Sequence, residues 1–431
     1  MNKHILRLAI PNILSNLSVP LLSIADTALM GRLEDSALYI GAIALGSIIF
    51  NFVYWGFGFL RMGTTGLTAQ AFGAKDSSEI TMILSRSLAV GFIGAILLLI
   101  FQWPIGEWGF SIIKGEEEVK AVAKSYYYIR IWAAPATIAS YTLHGWFLGM
   151  QNARIPMYLT IAVNVFNIGL NFLFVFGMGM KADGVALATV IAQYLGIIAA
   201  IGFFFVHYRD YLSHFSKSKL FKRDALIKFF TVSRDIFIRT LCLIFVFTFF
   251  TNESSGFSKE ILAVNSILLQ FFFVLGFGID GFAYAAESLV GNYKGAQAFD
   301  ELKLAVRYLF FWGGGIAAIG SMVYILFPEP LLHIFTDDPQ LIETALPFIL
   351  WMVAVSFVGG FAFIWDGVYI GATATKAMRD MMLISMPVFF LAYYGLVESW
   401  GNHALWFAMV LFMLSRAISL SWVSKKNIFS A

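Results

Sequence analysis

Long apolar runs separated by short polar stretches organise the whole chain. Twelve such runs are found, at about 5–30, 39–72, 84–106, 121–150, 157–178, 184–207, 225–250, 260–290, 304–327, 341–371, 381–397 and 403–423. A helix needs roughly 20 mostly apolar residues to cross the hydrocarbon of a bilayer. The runs are too long and too uniformly apolar for barrel strands, which alternate over about ten residues. The pattern therefore predicts an all-α integral membrane protein with twelve transmembrane helices.

Composition supports lipid as the solvent. Hydrophobic residues make up 59% of the 431 residues and charged ones only 13%, against about 25% charged in soluble domains. A single cysteine, Cys242, excludes an intramolecular disulfide framework and a multi-cysteine metal site. The net charge of +3 comes without a basic run, so no nucleic-acid partner is expected. Lys3 and Arg7 precede the first apolar run as in a secretory signal, but no cleavage site of small residues follows. With Pro11, Asn12, Ser15 and Asn16 inside it, the run is expected to be a retained first span.

Orientation follows from the basic residues, which favour the cytoplasmic ends of spans. With the N-terminus inside, 19 of the 29 Lys and Arg fall in cytoplasmic segments, Arg416 counted among them, and six fall outside. The remaining four, Arg61, Arg130, Arg234 and Arg239, lie within spans. The expectation is a multi-pass protein of the cytoplasmic (inner) membrane with both termini in the cytoplasm.

The longest inner segment separates an N-terminal six-helix bundle (1–207) from a C-terminal one (225–431), with a cytoplasmic linker at 208–224. The halves repeat. His144-Gly-Trp-Phe-Leu-Gly149 matches Asp366-Gly-Val-Tyr-Ile-Gly371 at an offset of 222, while Gly-Phe-Gly at 56–58 and 276–278 gives 220 and Gly73 with Gly291 gives 218. Six spans per repeat give both halves the same orientation, so the pseudo-symmetry axis runs along the membrane normal, as in transporters built from parallel repeats with a site between them.

Ionisable groups inside the hydrocarbon are costly and therefore candidates for function. Asp26 lies near the end of the first span. Desolvation there would suit it to carry a proton reversibly, although pairing with Arg32 would explain it structurally. Asn164, Asn167 and Asn171 recur three and four residues apart on one face of the fifth span. That face must turn inward, either as a site or as glue between helices. Thr189 lies at a similar depth in the sixth. Arg61 and Asp280, offset by 219, are expected to face each other across the cleft between bundles, unless each pairs within its own bundle. Glu287 and Asp366 are candidates for gating or substrate binding, and so is His144, whose side chain titrates near neutrality. No Gly-x-x-x-x-Gly-Lys-Ser/Thr, Gly-x-Ser-x-Gly or His-Glu-x-x-His motif occurs, which argues against ATP as fuel and against a hydrolase.

Pro11-Asn-Ile-Leu-Ser-Asn, Asp26-Thr-Ala-Leu-Met-Gly-Arg32, Gly56-Phe-Gly-Phe-Leu-Arg-Met-Gly-Thr-Thr-Gly66, Ala286-Glu-Ser-Leu-Val-Gly291 and Ile370-Gly-Ala-Thr-Ala-Thr-Lys-Ala-Met-Arg379 resemble the multidrug and toxic compound extrusion (MATE) family, and within it the DinF-like branch. The resemblance covers essentially the whole chain. It implies a cation-coupled antiporter, not an enzyme, that exports small organic, drug-like compounds by alternating access. Asp26 would bind the coupling ion, with Asn167, Asn171 and Thr189 around it. Some relatives have an acid where Asn171 stands. Others bind sodium through an acid in the seventh span, where this chain offers Arg234 and Arg239. Protons are therefore the expected coupling ion, with sodium near Asp26 the other option and no further cofactor or metal. The expected partners are membrane lipids and an organic substrate, cationic and amphipathic among the options, handled by a monomer. Two other readings are a flippase of lipid-linked precursors, which calls for more cations in the cleft than Arg61, and a membrane-embedded lipid transferase, which calls for paired interfacial carboxylates.

Overall fold

The computed structural model describes residues 1–429. They are helical almost throughout, in twelve long passes. Span 1 is Asn2–Met30, span 2 Ser36–Gly73, span 3 Ser77–Ile100 and span 5 Arg154–Gly177. Span 4 runs through Glu117–Arg130, Ile131–Ala133 and Ala134–Gly149. Span 6 is Ala182–His214, span 8 Lys259–Gly295, span 9 Phe299–Leu326, span 10 Pro339–Gly371, span 11 Thr375–Trp400 and span 12 Asn402–Asn427. Span 7, Arg223–Phe257, is longer than the sequence suggests.

Ten of these passes are long and apolar enough to cross a membrane by composition alone. Spans 4 and 7 are not among those ten; span 4 carries Arg130, and span 7 carries Arg234, Asp235 and Arg239. The all-α, twelve-helix architecture in two six-helix units stands as expected.

One compact unit comprises Leu14–Lys228, and the other joins Met1–Ile13 to the described chain from Phe229 onward. The sequence placed residues 1–13 with the first bundle, and packing explains the difference. Ala9 and Ile13 sit against Gly281 of span 8. Asn2 Oδ1 accepts from Trp312 Nε1 at 3.1 Å. Segment 208–224, read as a linker, is folded onto span 3. Arg86 donates to the carbonyls of Lys219 (2.8 Å) and Leu220 (3.2 Å), and Thr81 donates to that of Tyr211 at 2.8 Å.

The repeat has one register, 222 residues, through spans 2–4 and 8–10. Span 2 ends with Ala74, Lys75 and Asp76 donating to the carbonyls of Gln70, Phe72 and Ala71, and span 8 ends with Ala296, Gln297 and Ala298 donating to those of Asn292, Lys294 and Tyr293. The same three-bond end closes span 4 at Met150–Asn152 and span 10 at Ala372–Ala374. In each case the middle residue is left-handed: Lys75 (φ 55), Gln151 (φ 61), Gln297 (φ 56) and Thr373 (φ 50). This is the Schellman arrangement, which usually places glycine there.

The close helix contacts obey the same register. Gly145 and Gly149 of span 4 lie on the backbone of Arg61 and Thr65, and Gly367 and Gly371 of span 10 on that of Ala283 and Glu287. A side chain at any of these positions would meet backbone, so the approach requires glycine. This corrects the offsets of 218 to 220 read for spans 2 and 8. Arg61 corresponds to Ala283 and Asp280 to Gly58, about one helical turn away from the pairing expected.

Candidate functional site

The first unit holds a chain of polar side chains inside its helices. Asn171 Nδ2 donates to Asp26 Oδ1 at 2.6 Å and to Asn167 Oδ1 at 2.9 Å. Asn167 Nδ2 then donates to Thr189 Oγ1 at 3.1 Å, and Thr189 donates to the Val185 carbonyl at 3.0 Å. Spans 1, 5 and 6 thus meet in one hydrogen-bonded string. Its spacing is dictated locally: Asn167 and Asn171 stand four residues apart on one helical face. Immediately beyond them, Leu173–Gly177 widens into a π-helical turn, a local irregularity often found at functional sites.

Both asparagines are buried, at 2% and 0% exposure. Asn171 Oδ1 is buried without a hydrogen-bond partner. A buried acceptor left unmade costs about 1–3 kcal/mol, so the string is one donor short.

Arg130 completes the site and was missed as a site residue from sequence. Its Nη1 donates to Tyr126 Oη at 2.6 Å and to Ser47 Oγ at 3.3 Å, and its guanidinium lies over the Phe50 ring at 4.7 Å. Arg130 acts electrostatically on the Asp26 carboxylate. The signal was present, since an arginine stood in an apolar run, but that it acts on Asp26 of span 1 was set only by the fold.

The remaining candidates divide. Asn164 is not part of the string: its Nδ2 donates to Ser18 Oγ at 2.9 Å and to the Ser18 carbonyl at 3.1 Å, clamping span 5 to span 1. Arg61 acts electrostatically on Tyr141 and His144 within the first unit. Asp280 is half-buried on span 8 of the second unit, and Glu287 is buried on the same helix.

Asp366 is buried, its Oδ2 accepting from both Arg239 and Arg416, the latter at 2.6 Å. Arg416 is therefore an interior partner in span 12, not the orientation marker read from sequence.

Span 7 also carries acids that the sequence reading passed over. Asp235, fully buried, pairs with Arg379 at 2.6 Å and Arg234 at 3.0 Å. Near the end of the same helix, Glu253 Oε2 accepts from Tyr393 Oη at 2.5 Å. Tyr393 stands 222 residues after Asn171, the partner of Asp26. Among the described residues no three His, Cys, Asp or Glu side chains cluster to hold a metal. The Asp26 site offers carboxylate, amide and hydroxyl oxygens, a donor set suited to a proton or a hard monovalent cation.

Comparison with known proteins adds to this geometry. The MatE family model matches residues 11–173 and 236–394. The chain is 35% identical over 429 residues to the DNA damage-inducible protein F of Escherichia coli (strain K12), covering 99% of this chain and 92% of that one. It is 25% identical to a probable multidrug resistance protein NorM of Rhizobium meliloti (strain 1021), covering 97% and 91%. Among solved structures, it matches an outward-facing multidrug resistance MATE family transporter of the MOP superfamily with a TM-score of 0.85 at 18% identity, covering 99% and 95%. A MATE structure in a bent conformation matches with a TM-score of 0.87 at 18% identity, covering 99% and 95%.

Proposed function

Because the chain belongs to the MatE family of membrane transporters, we propose that it exports small organic compounds from the cytoplasm in exchange for protons, with Asp26 as the proton-carrying group. The observation that carries this reading is the string from Asp26 to Thr189, one donor short at Asn171 Oδ1. An ionised Asp26 accepts from the Asn171 amide. A protonated Asp26 has an O–H to give, and Asn171 Oδ1 is the acceptor without a donor.

Protonation therefore favours turning the Asn171 amide over. With the Asn167 amide turned over as well, Asn167 donates to Asn171 Oδ1 and accepts from Thr189, whose hydroxyl gives up the Val185 carbonyl, so the string reverses direction. The two directions satisfy different groups, and in the protonated state the Arg130 charge no longer has an ionised Asp26 to act on. A proton and a substrate that prefer different states are coupled through that difference in affinity. Drug-like cargo is supported by relatives named as multidrug resistance proteins. The basic-residue asymmetry of the loops supports both termini lying in the cytoplasm, and the paired units support action as a monomer.

Reconstitution into proteoliposomes tests the reading. An imposed proton gradient should drive substrate exchange in the wild type and not in Asp26→Asn, whereas a sodium gradient at equal pH should drive neither. Exchange by Asp26→Asn at the wild-type rate would remove Asp26 from the mechanism. Sodium-driven exchange in the wild type would replace the proton by sodium.

A further inference from the structure

Three buried ionisable side chains meet inside the second unit: Arg239 of span 7, Asp366 of span 10 and Arg416 of span 12. Their side chains are 8%, 7% and 1% exposed. Both arginines donate through Nη2 to one oxygen, Asp366 Oδ2. Guanidinium groups stay protonated in proteins, so two cations face one carboxylate and a positive charge is left over.

The neighbours do not remove it. Arg416 is acted on by Asp366 and Arg239. Asp235, one turn before Arg239, is engaged by Arg379 and Arg234 through Oδ1 and by Thr375 through Oδ2 at 3.4 Å. Counting Arg234, Asp235, Arg379 and Asp380 adds two cations and two anions and leaves the surplus as it was. An uncompensated buried charge is strongly unfavourable.

Hydrogen bonding shows the same deficit. Arg239 Nε and Arg416 Nε are buried without an acceptor. Arg416 Nη1 reaches only the sulfur of Met413, at 3.2 Å, and a thioether accepts weakly. Asp366 engages through Oδ2 alone, its Oδ1 having no partner, so the carboxylate fills neither Nε position. What the cluster lacks is an acceptor bearing one negative charge.

We propose that Arg239 and Arg416, held together by Asp366, form a binding site for a monovalent anion, either a free halide or the carboxylate of an organic molecule. The inference is independent of ion coupling at Asp26, which lies in the other unit.

Binding of radioactive chloride to wild-type protein in lipid nanodiscs, in potassium sulfate at constant ionic strength, tests it directly. One saturable chloride per chain is expected, weakened at least tenfold in Arg416→Met, which leaves the neutral Arg239–Asp366 pair. Displacement by benzoate would assign the site to carboxylates, and its absence would assign it to halides. No saturable binding to the wild type, or unchanged affinity in both Arg416→Met and Arg239→Met, would overturn the proposal. Should these variants not fold, bromide anomalous diffraction from wild-type crystals supplies the location. A peak against Arg239 and Arg416 supports the site, and peaks elsewhere alone refute it.

Discussion

Asn171 Nδ2 lies 2.6 Å from Asp26 Oδ1 and makes the link between span 1 and the polar face of span 5. A hydrogen bond to a charged group contributes about 1.5–3 kcal/mol. Asn171→Ala removes it, along with the bond to Asn167, so proton-driven exchange should fall by about 10- to 100-fold. Initial rates in proteoliposomes, with expression and thermal stability as controls, provide the check. An unchanged rate would show that Asp26 does not act through this string.

Arg130 and Asp26 are coupled electrostatically across the first unit. A double-mutant cycle of exchange rates on Asp26→Asn and Arg130→Met should therefore be non-additive, with a coupling above about 0.5 kcal/mol. Additive effects would mean that Arg130 only packs against Phe50 and Tyr126.

The glycine contacts predict matched losses of stability in the two repeats. A Cβ at Gly149 or Gly371 meets backbone of the facing helix, whereas a Cβ at Gly202 has nothing within 4 Å. Gly149→Ala and Gly371→Ala should each destabilise by about 1–3 kcal/mol, and Gly202→Ala should not. Thermal unfolding of purified protein distinguishes the three. Equal melting temperatures would remove close approach as the reason for glycine.

Gln297 holds a left-handed conformation at the end of span 8, with φ 56. L-residues pay about 1–2 kcal/mol for it relative to glycine. Gln297→Gly should raise the melting temperature, and Gln297→Val, which adds β-branching, should lower it. A fall with glycine would show that the side chain contributes more than the strain removes.

The membrane class, the all-α architecture and the repeat were legible because each is written in contiguous sequence. Apolar runs report on solvent, and a copied segment carries its own match. Asp26, Asn167 and Asn171 were legible for the same reason, since a polar residue in an apolar run stands out and a spacing of four places two asparagines on one face.

Tertiary structure decided the partners. Arg130 and Arg416 were visible as arginines, but which carboxylate each acts on depended on helices 50 or more residues away in the chain. Asp235 was hidden between two arginines that drew attention to themselves. The repeat register in spans 2 and 8 was misread by two to four residues because glycines recur often in close-packed helices and can match by chance. Backbone hydrogen bonds at helix ends cannot slip in that way. A helix can be recognised from its own residues, whereas a charge pair or a register is a relation between helices, and only packing sets it.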